Sequence, residues 1–138
     1  MPDVEALVLA YLRDLDAVSA LVGDRCYQKL PVGARPPRVL ARRVRGRMRV
    51  RSDLDGANIQ VEGLSTLDEE GGSRDEAHDV TAAARAGLLA MVGQFEMGTV
   101  TGVDEVVGPR YDPDPVTSWH RFLFEVVVFA APAVLVVP

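Results

Sequence analysis

Arg43-Val44-Arg45-Gly46-Arg47-Met48-Arg49-Val50-Arg51 places an arginine at every second position. A β-strand sends alternate side chains to opposite faces, so this stretch as a strand sets five guanidinium groups in one row and Val44, Met48 and Val50 on the reverse. On a helix the same arginines scatter around the axis. The stretch is therefore read as a strand over about residues 38–51. Its first part breaks the alternation, because Val39 and Ala41 share parity with the arginines while Arg42 has the apolar parity. A bulge or a strand start is expected near 41–43.

Five like charges along one strand repel one another, and solvent-exposed ion pairs contribute only about 0–1 kcal/mol each. The row therefore calls for a partner. Arginine at all five positions suits planar, two-pronged pairing with carboxylate or phosphate. It also discourages edge-to-edge aggregation of an exposed strand.

The neighbouring segments place this strand in a fold. Asp53-Leu54-Asp55-Gly56 reads as a hairpin turn, with Asp-Gly its signal. The returning strand, 58–64, points Ile59 and Val61 one way and Asn58, Gln60 and Glu62 the other, so that Glu62 can lie across from an arginine. Upstream, Val4, Leu7, Val8, Tyr11, Leu12, Leu15 and Val18 form one apolar helical face, with Pro2, Asp3 and Glu5 suited to the helix start and Gly23 to its stop. Residues 24–37 form a proline-rich connection with a short extended piece at 26–30.

Downstream, 65–73 is an acidic, glycine-rich loop. Ser73 and Glu76 form an S-x-x-E capping box that opens a second helix, roughly 73–93. Val80, Ala84, Leu88, Met91 and Phe95 are its expected buried face. Strands follow at 99–107 and 119–129, separated by a proline-rich loop. In the last strand Phe122, Phe124, Val126 and Val128 face the core, and Arg121, Leu123, Glu125 and Val127 lie opposite. The order α-β-β-α-β-β predicts an α+β fold, an antiparallel four-stranded sheet with two helices packed on one face. One domain is expected over residues 1–131, with an apolar tail over 132–138.

Composition bounds the function. A chain of 138 residues that is 48% apolar suits one compact domain. Its net charge of −5 argues against a general nucleic-acid binder. The charge is uneven, with eight arginines and no acid between Arg35 and Arg51 and an acidic remainder. That asymmetry suits head-to-tail association, in which a basic patch meets an acidic one. A single cysteine, Cys26, leaves no internal disulfide and fits a reducing compartment. No basic region precedes an apolar stretch at the start, so no signal peptide is expected. The longest apolar run, 126–137, is too short to span a bilayer and contains Pro132. The expectation is a soluble intracellular protein or a component of an assembled particle, with no membrane partner.

No catalytic or metal pattern emerges. His78 and His120 lie on different elements and read as a surface histidine and a sheet-end histidine. Cys26 reads as a small buried side chain. Asp112-Pro113-Asp114 reads as a turn, and Asp53-Leu54-Asp55-Gly56 lacks the further oxygens of a calcium loop. Neither phosphate-binding glycine motif is present. No enzyme activity and no cofactor are expected. The candidate contact residues are Arg43, Arg45, Arg47, Arg49 and Arg51, with the acidic cluster Asp68, Glu69 and Glu70 as the complementary surface on a neighbour. The tail segment Val134-Leu135-Val136-Val137 is β-prone and also calls for a partner.

Across roughly residues 3–131 the chain resembles the tail terminator, or tail completion, proteins of long-tailed bacteriophages with non-contractile tails. The resemblance lies in the opening helix ending Ala20-Leu21-Val22-Gly23-Asp24-Arg25, and in Leu30-Pro31 with Pro36-Pro37-Arg38-Val39 entering a strand. It continues in the 73–93 helix and in Trp119-His120-Arg121-Phe122 after an Asp-Pro loop. It implies a small α/β fold that assembles as a hexameric ring. The ring caps the head-proximal end of the tail tube, stops its polymerisation and meets the head-completion proteins of the neck. It thus implies a tail tube protein and a neck protein as partners. The location it implies is the tail–neck junction of the virion, reached from the host cytoplasm during assembly. No site residue transfers by position, and the tail beyond Pro132 has no counterpart in the resemblance.

Two further readings stand beside this one. One is another head–tail connector. The other is a small nucleic-acid-binding domain that uses the arginine hairpin, including passing contact with DNA in a ring lumen. Acidic net charge and the lack of aromatic residues between the arginines weigh against the latter.

Overall fold

The computed structural model describes residues 2–44, 48–51 and 54–132, with backbone alone at 48–51 and 54. Helix α1 spans Val4–Asp14 and α2 Asp16–Val22. Strands β1, Cys26–Tyr27, β2, Arg38–Arg43, β3, Met48–Arg51, and β4, Leu54–Ser65, follow. A 3-10 turn, Asp68–Glu70, leads to α3, Arg74–Leu89. Strands β5, Gly93–Phe95, β6, Gly98–Tyr111, and β7, His120–Ala131, complete the fold. The sheet order is β1-β2-β4-β7-β6-β5, and β3 pairs with β4 beyond the end of β2. The β1–β2 pair is parallel and the other pairs are antiparallel.

The α+β class and the helix-on-sheet layering are as expected, but the details differ. Among the described residues three α-helices replace two, because Leu15 adopts an extended conformation (ψ 120°) between α1 and α2. Its side chain lies against Gly87 of α3, where a Cβ would come within 2.2 Å of Leu15 Cδ1. The second helix ends at Leu89, so Phe95 belongs to a strand. The short strands β1 and β5 extend the four expected strands, and β1 makes the sheet mixed.

The arginine strand is interrupted. Within β2 the register is regular through Ala41↔Val61 and Arg43↔Ile59, with no bulge at 41–43. The β2 register reaches Arg43↔Ile59, with the Val44 N–H donating to the Asn58 carbonyl at 3.1 Å, and at Met48↔Gly56 the register has moved by two residues. Asp55 and Gly56, expected in the turn, lie inside β4 and pair with Ala130 and Phe129 of β7. Pairing with β3 on one side and β7 on the other holds these residues in the strand.

The core lies between the helices and one sheet face. Leu7, Val8 and Leu12 of α1, Val18 and Val22 of α2, and Val80, Ala84 and Leu88 of α3 are buried there. They meet Val39, Ala41, Ile59, Val61, Phe124, Val126 and Val128 of the sheet. Each fully buried Val, Leu, Ile or Phe side chain among them stabilises the fold by roughly 1.5–3 kcal/mol. Gly63 brings α3 close to β4, since a Cβ there would fall 2.0 Å from Thr81 Oγ1 and 2.9 Å from Thr81 N. Position 63 needs glycine for this approach. Leu123, Glu125 and Val127, on the face of β7 away from the helices, are buried as well.

The Ser73 cap forms as the sequence predicts, whereas Pro2, expected in the first turn, precedes α1, and Asp3 is its N-cap. Asp3 Oδ1 accepts from the Ala6 N–H at 3.1 Å, and Ser73 Oγ accepts from the Glu76 N–H at 2.9 Å. The capping box closes through a third residue. The Glu76 carboxylate accepts from Ser65 Oγ at 2.6 Å, and Ser65 Oγ accepts from the Ser73 N–H at 3.1 Å. This ties the start of α3 to the end of β4.

Candidate functional site

Strand β4 sets the distance between the two charged segments. Asp55, near its start, pairs with Arg49 of β3, and Ser65, at its end, pairs with His120. At about 3.3 Å per residue, that separation is roughly 33 Å. The arginine segment therefore lies at one end of the sheet. The acidic turn, joined to the end of β4 through Thr66 and Leu67, lies at the other.

At the first end, Arg43 shares parity with the buried Val39 and Ala41 and lies on the helix-side face. Its guanidinium reaches the Asp55 carboxylate at 3.3 and 3.4 Å, and its backbone N–H donates to Glu5 Oε2 at 2.9 Å. Asp55 is almost wholly buried. Burying a carboxylate without a paired, hydrogen-bonded partner is costly, and Arg43 supplies one. Arg43 is thus held by an internal contact. By register Arg49 faces Asp55 and Arg51 faces Leu54, while Arg45 and Arg47 lie outside the described residues.

At the far end, Asp68, Glu69 and Glu70 form the 3-10 turn, closed by Gly71 at φ +93°. All three acids are exposed. His120 anchors the turn: its Nε2 lies 2.8 Å from Asp68 Oδ1, and its Nδ1 lies 2.9 Å from the Tyr111 hydroxyl. The sheet-end histidine is therefore a tether between strand and turn. Arg74 stacks over Tyr111 at 4.7 Å and Phe122 at 5.3 Å, and the His78 ring meets Phe122 edge-on. His78 is otherwise exposed, as expected of a surface histidine.

A polar network on the helix-free side of the sheet was not anticipated. Arg121 donates from Nε to the Asp112 carbonyl at 2.8 Å, and its other nitrogens lie 3.3 Å from the Asp112 carboxylate and 3.5 Å from Glu62. Glu62 faces Leu40 and Leu123 directly, so its arginine partner comes from one strand over and not from the arginine row. Burial pushes the Glu62 carboxyl up, against the opposing pull of Arg121, Arg42 and Arg38. Burial also pushes up the Asp114 carboxyl, but donors from Thr117 and Val116, with Arg121, outweigh it and hold the group below the usual aspartate range. Asp114 thus closes a turn, accepting from the Val116 and Thr117 N–H groups at 3.2 and 2.9 Å. Asn58 Nδ2 donates to Glu125 Oε2 at 2.9 Å within the sheet. The i, i+2 polarity of Asn58, Gln60 and Glu62 hinted at this face. Its partners on β7 come from more than 50 residues away in the chain.

Cys26 is fully buried, and burial pushes its thiol up. A cavity of about 580 Å³ lies between α1 and the β5–β6 hairpin, away from the acidic turn. No helix among the described residues is long and apolar enough to cross a membrane.

The fold is a module of three helices on one mixed sheet, with an arginine segment and an acidic turn at opposite ends of one strand. The family model for tail completion protein gp17 matches residues 6–128, and the chain belongs to that family, the structural proteins of bacteriophage tails. A solved chain described as "Virion of native gene transfer agent (GTA) particle" has the same fold. The TM-score is 0.73 at 15% sequence identity, covering 92% of this chain and 93% of that one. No curated protein matches the chain in sequence.

Proposed function

We propose that this protein assembles as a ring of six copies on the head-proximal end of a phage tail tube, ends tube polymerisation there and joins the tail to the neck. It works by binding, without catalysis or cofactor. Its partners are further copies of itself, the tail tube protein and a head-completion protein. Its place is the tail–neck junction of the virion, reached after assembly in the host cytoplasm.

The observation that carries the ring is the separation of charge along β4. An arginine segment and an acidic turn roughly 33 Å apart cannot neutralise each other within one chain. Placed head to tail, each copy offers Arg45, Arg47, Arg49 and Arg51 to the Asp68–Glu70 turn of the next. This is a heterologous contact, which closes into a ring when the rotation from one copy to the next closes. Membership of the tail completion family supports the same reading.

Native mass spectrometry of the protein, alone and with its cognate tube protein, tests the proposal. The wild type is expected to form hexamers, alone or on tube ends. Arg45→Glu with Arg47→Glu is expected to stay monomeric, as is Glu69→Arg with Glu70→Arg. An equal mixture of the two variants is expected to regain alternating rings, because each end then meets its opposite. Rings formed by either variant alone would overturn the charge pairing. A wild-type monomer that ignores the tube and retains DNA in a steeply salt-dependent way would overturn the ring in favour of nucleic-acid binding.

A further inference from the structure

The cavity of about 580 Å³ between α1 and the β5–β6 hairpin has no role in the charge-paired ring. Leu7, Tyr11, Leu15, Phe95 and Met97 give it an apolar lining, and Asp14 and Glu96 are its acidic members. Its walls are braced. The Tyr11 ring meets Phe95 edge-on at 5.6 Å, and its hydroxyl donates to the Gly87 carbonyl at 2.8 Å. Met97 is 41% exposed at the surface. A braced apolar cleft of this size has the dimensions of a ligand or peptide site.

The chain itself carries a matching segment. Strand β7 ends with Ala131 paired to Thr99, directly beside the hairpin that forms one wall of the cleft. Gly98 packs so closely there that a Cβ would fall 3.0 Å from the Ala131 carbonyl oxygen and 2.9 Å from Pro2. Beyond Pro132 the sequence reads Ala133-Val134-Leu135-Val136-Val137-Pro138, all apolar and without charge. Six residues reach up to roughly 20 Å when extended, enough to enter a cleft whose wall adjoins the exit point. A short tether also raises the local concentration of the segment to about the millimolar range, which favours its own cleft over that of a neighbour.

We propose that the cleft between α1 and the β5–β6 hairpin is a binding site for the apolar C-terminal segment 133–138 of the same chain. Val134, Leu135, Val136 and Val137 supply the side chains that fill it. The contact shields a β-prone segment that would otherwise promote aggregation. It is independent of the ring, since it is made within one copy.

The test uses a labelled peptide of sequence Ala-Val-Leu-Val-Val-Pro and fluorescence anisotropy, at protein concentrations where native mass shows monomer. Full-length wild type is expected to bind the peptide weakly, because its own segment fills the cleft. The full-length variant Leu135→Asp with Val136→Asp is expected to bind at least about tenfold more tightly. Adding Met97→Glu, an exposed substitution that places a charge at the cleft, is expected to abolish that gain. Equal binding by the wild type and the tail variant would overturn the proposal, as would no binding by the tail variant. Wild-type monomer that binds the peptide as tightly as the tail variant, but loses it on assembly, would assign the cleft to a neighbour's segment and also overturn it.

Discussion

Gly63→Ala is expected to destabilise the fold by about 1–2.5 kcal/mol, although it adds one methyl group to a strand. The added Cβ would lie 2.0 Å from Thr81 Oγ1, 2.9 Å from Thr81 N and 3.1 Å from Thr81 Cα. Carbon atoms in good contact sit about 3.5–4.0 Å from their neighbours. The hydroxyl can be displaced only by breaking its 2.8 Å bond to the Ala77 carbonyl. The backbone nitrogen cannot move without the helix, so α3 must retreat from β4 by several tenths of an ångström.

That retreat loosens Val80, Ala84 and Leu88, which hold α3 on the sheet. Overpacking of this kind costs about 1–3 kcal/mol. The upper part of the range applies because the obstacle is main chain. The entropy gained by replacing glycine offsets less than about 1 kcal/mol. For a chain of this length the net corresponds to a fall in melting temperature of roughly 3–10 °C by calorimetry. Thr81→Ala in the same background removes the 2.0 Å contact but leaves the backbone contacts, so it is expected to recover only part of the loss. A Gly63→Ala variant as stable as wild type would show that α3 does not lie flush on β4, and would refute the reasoning.

Other outcomes follow from single contacts. Ser65→Ala removes the hydroxyl that joins Ser73 N–H to the Glu76 carboxylate, and is expected to cost about 2 kcal/mol in urea unfolding without changing the slope. Asp114 has a folded pKa below its unfolded value, so its contribution is present at neutral pH and lost as pH falls through the folded value. Asp114→Asn should therefore be less stable than wild type at pH 7, by under about 1 kcal/mol given its exposure, and equal to it in strong acid. Glu62 has the opposite sign: its folded pKa is raised, so its contribution is full below the unfolded value and falls as pH rises through the folded one. The stability of Glu62→Gln relative to wild type should accordingly improve from pH 4 to pH 7 in paired denaturant titrations. Cys26, buried and with its thiol pushed up, should react with thiol reagents only at the rate of unfolding, and labelling as fast as a free thiol would contradict its place in the core.

The sequence by itself determined the elements and which of their faces are apolar. The helical spacing of Val80, Ala84 and Leu88 and the strand alternation of Ile59 and Val61 are local signals, and all five residues are in the core. The S-x-x-E pattern located the start of α3 to the residue. The resemblance carried by residues 20–25, 30–31, 36–39 and 119–122 pointed to the family that the chain belongs to.

Only the tertiary structure decided what meets what. The break at Leu15 depends on Gly87, more than 70 residues away, and no local pattern announces it. Asp55 and Gly56 have the chemistry of a turn, yet pairing with Ala130 and Phe129 keeps them in a strand. Parity alone set five arginines on one face. The register shift after Arg43 and the buried Asp55 bind the first of them inside the molecule. The sequence showed that a basic segment and an acidic loop both exist. Strand pairing placed them at opposite ends of β4, because side-chain periodicity is a property of neighbouring residues whereas distance across a sheet is set by long-range register.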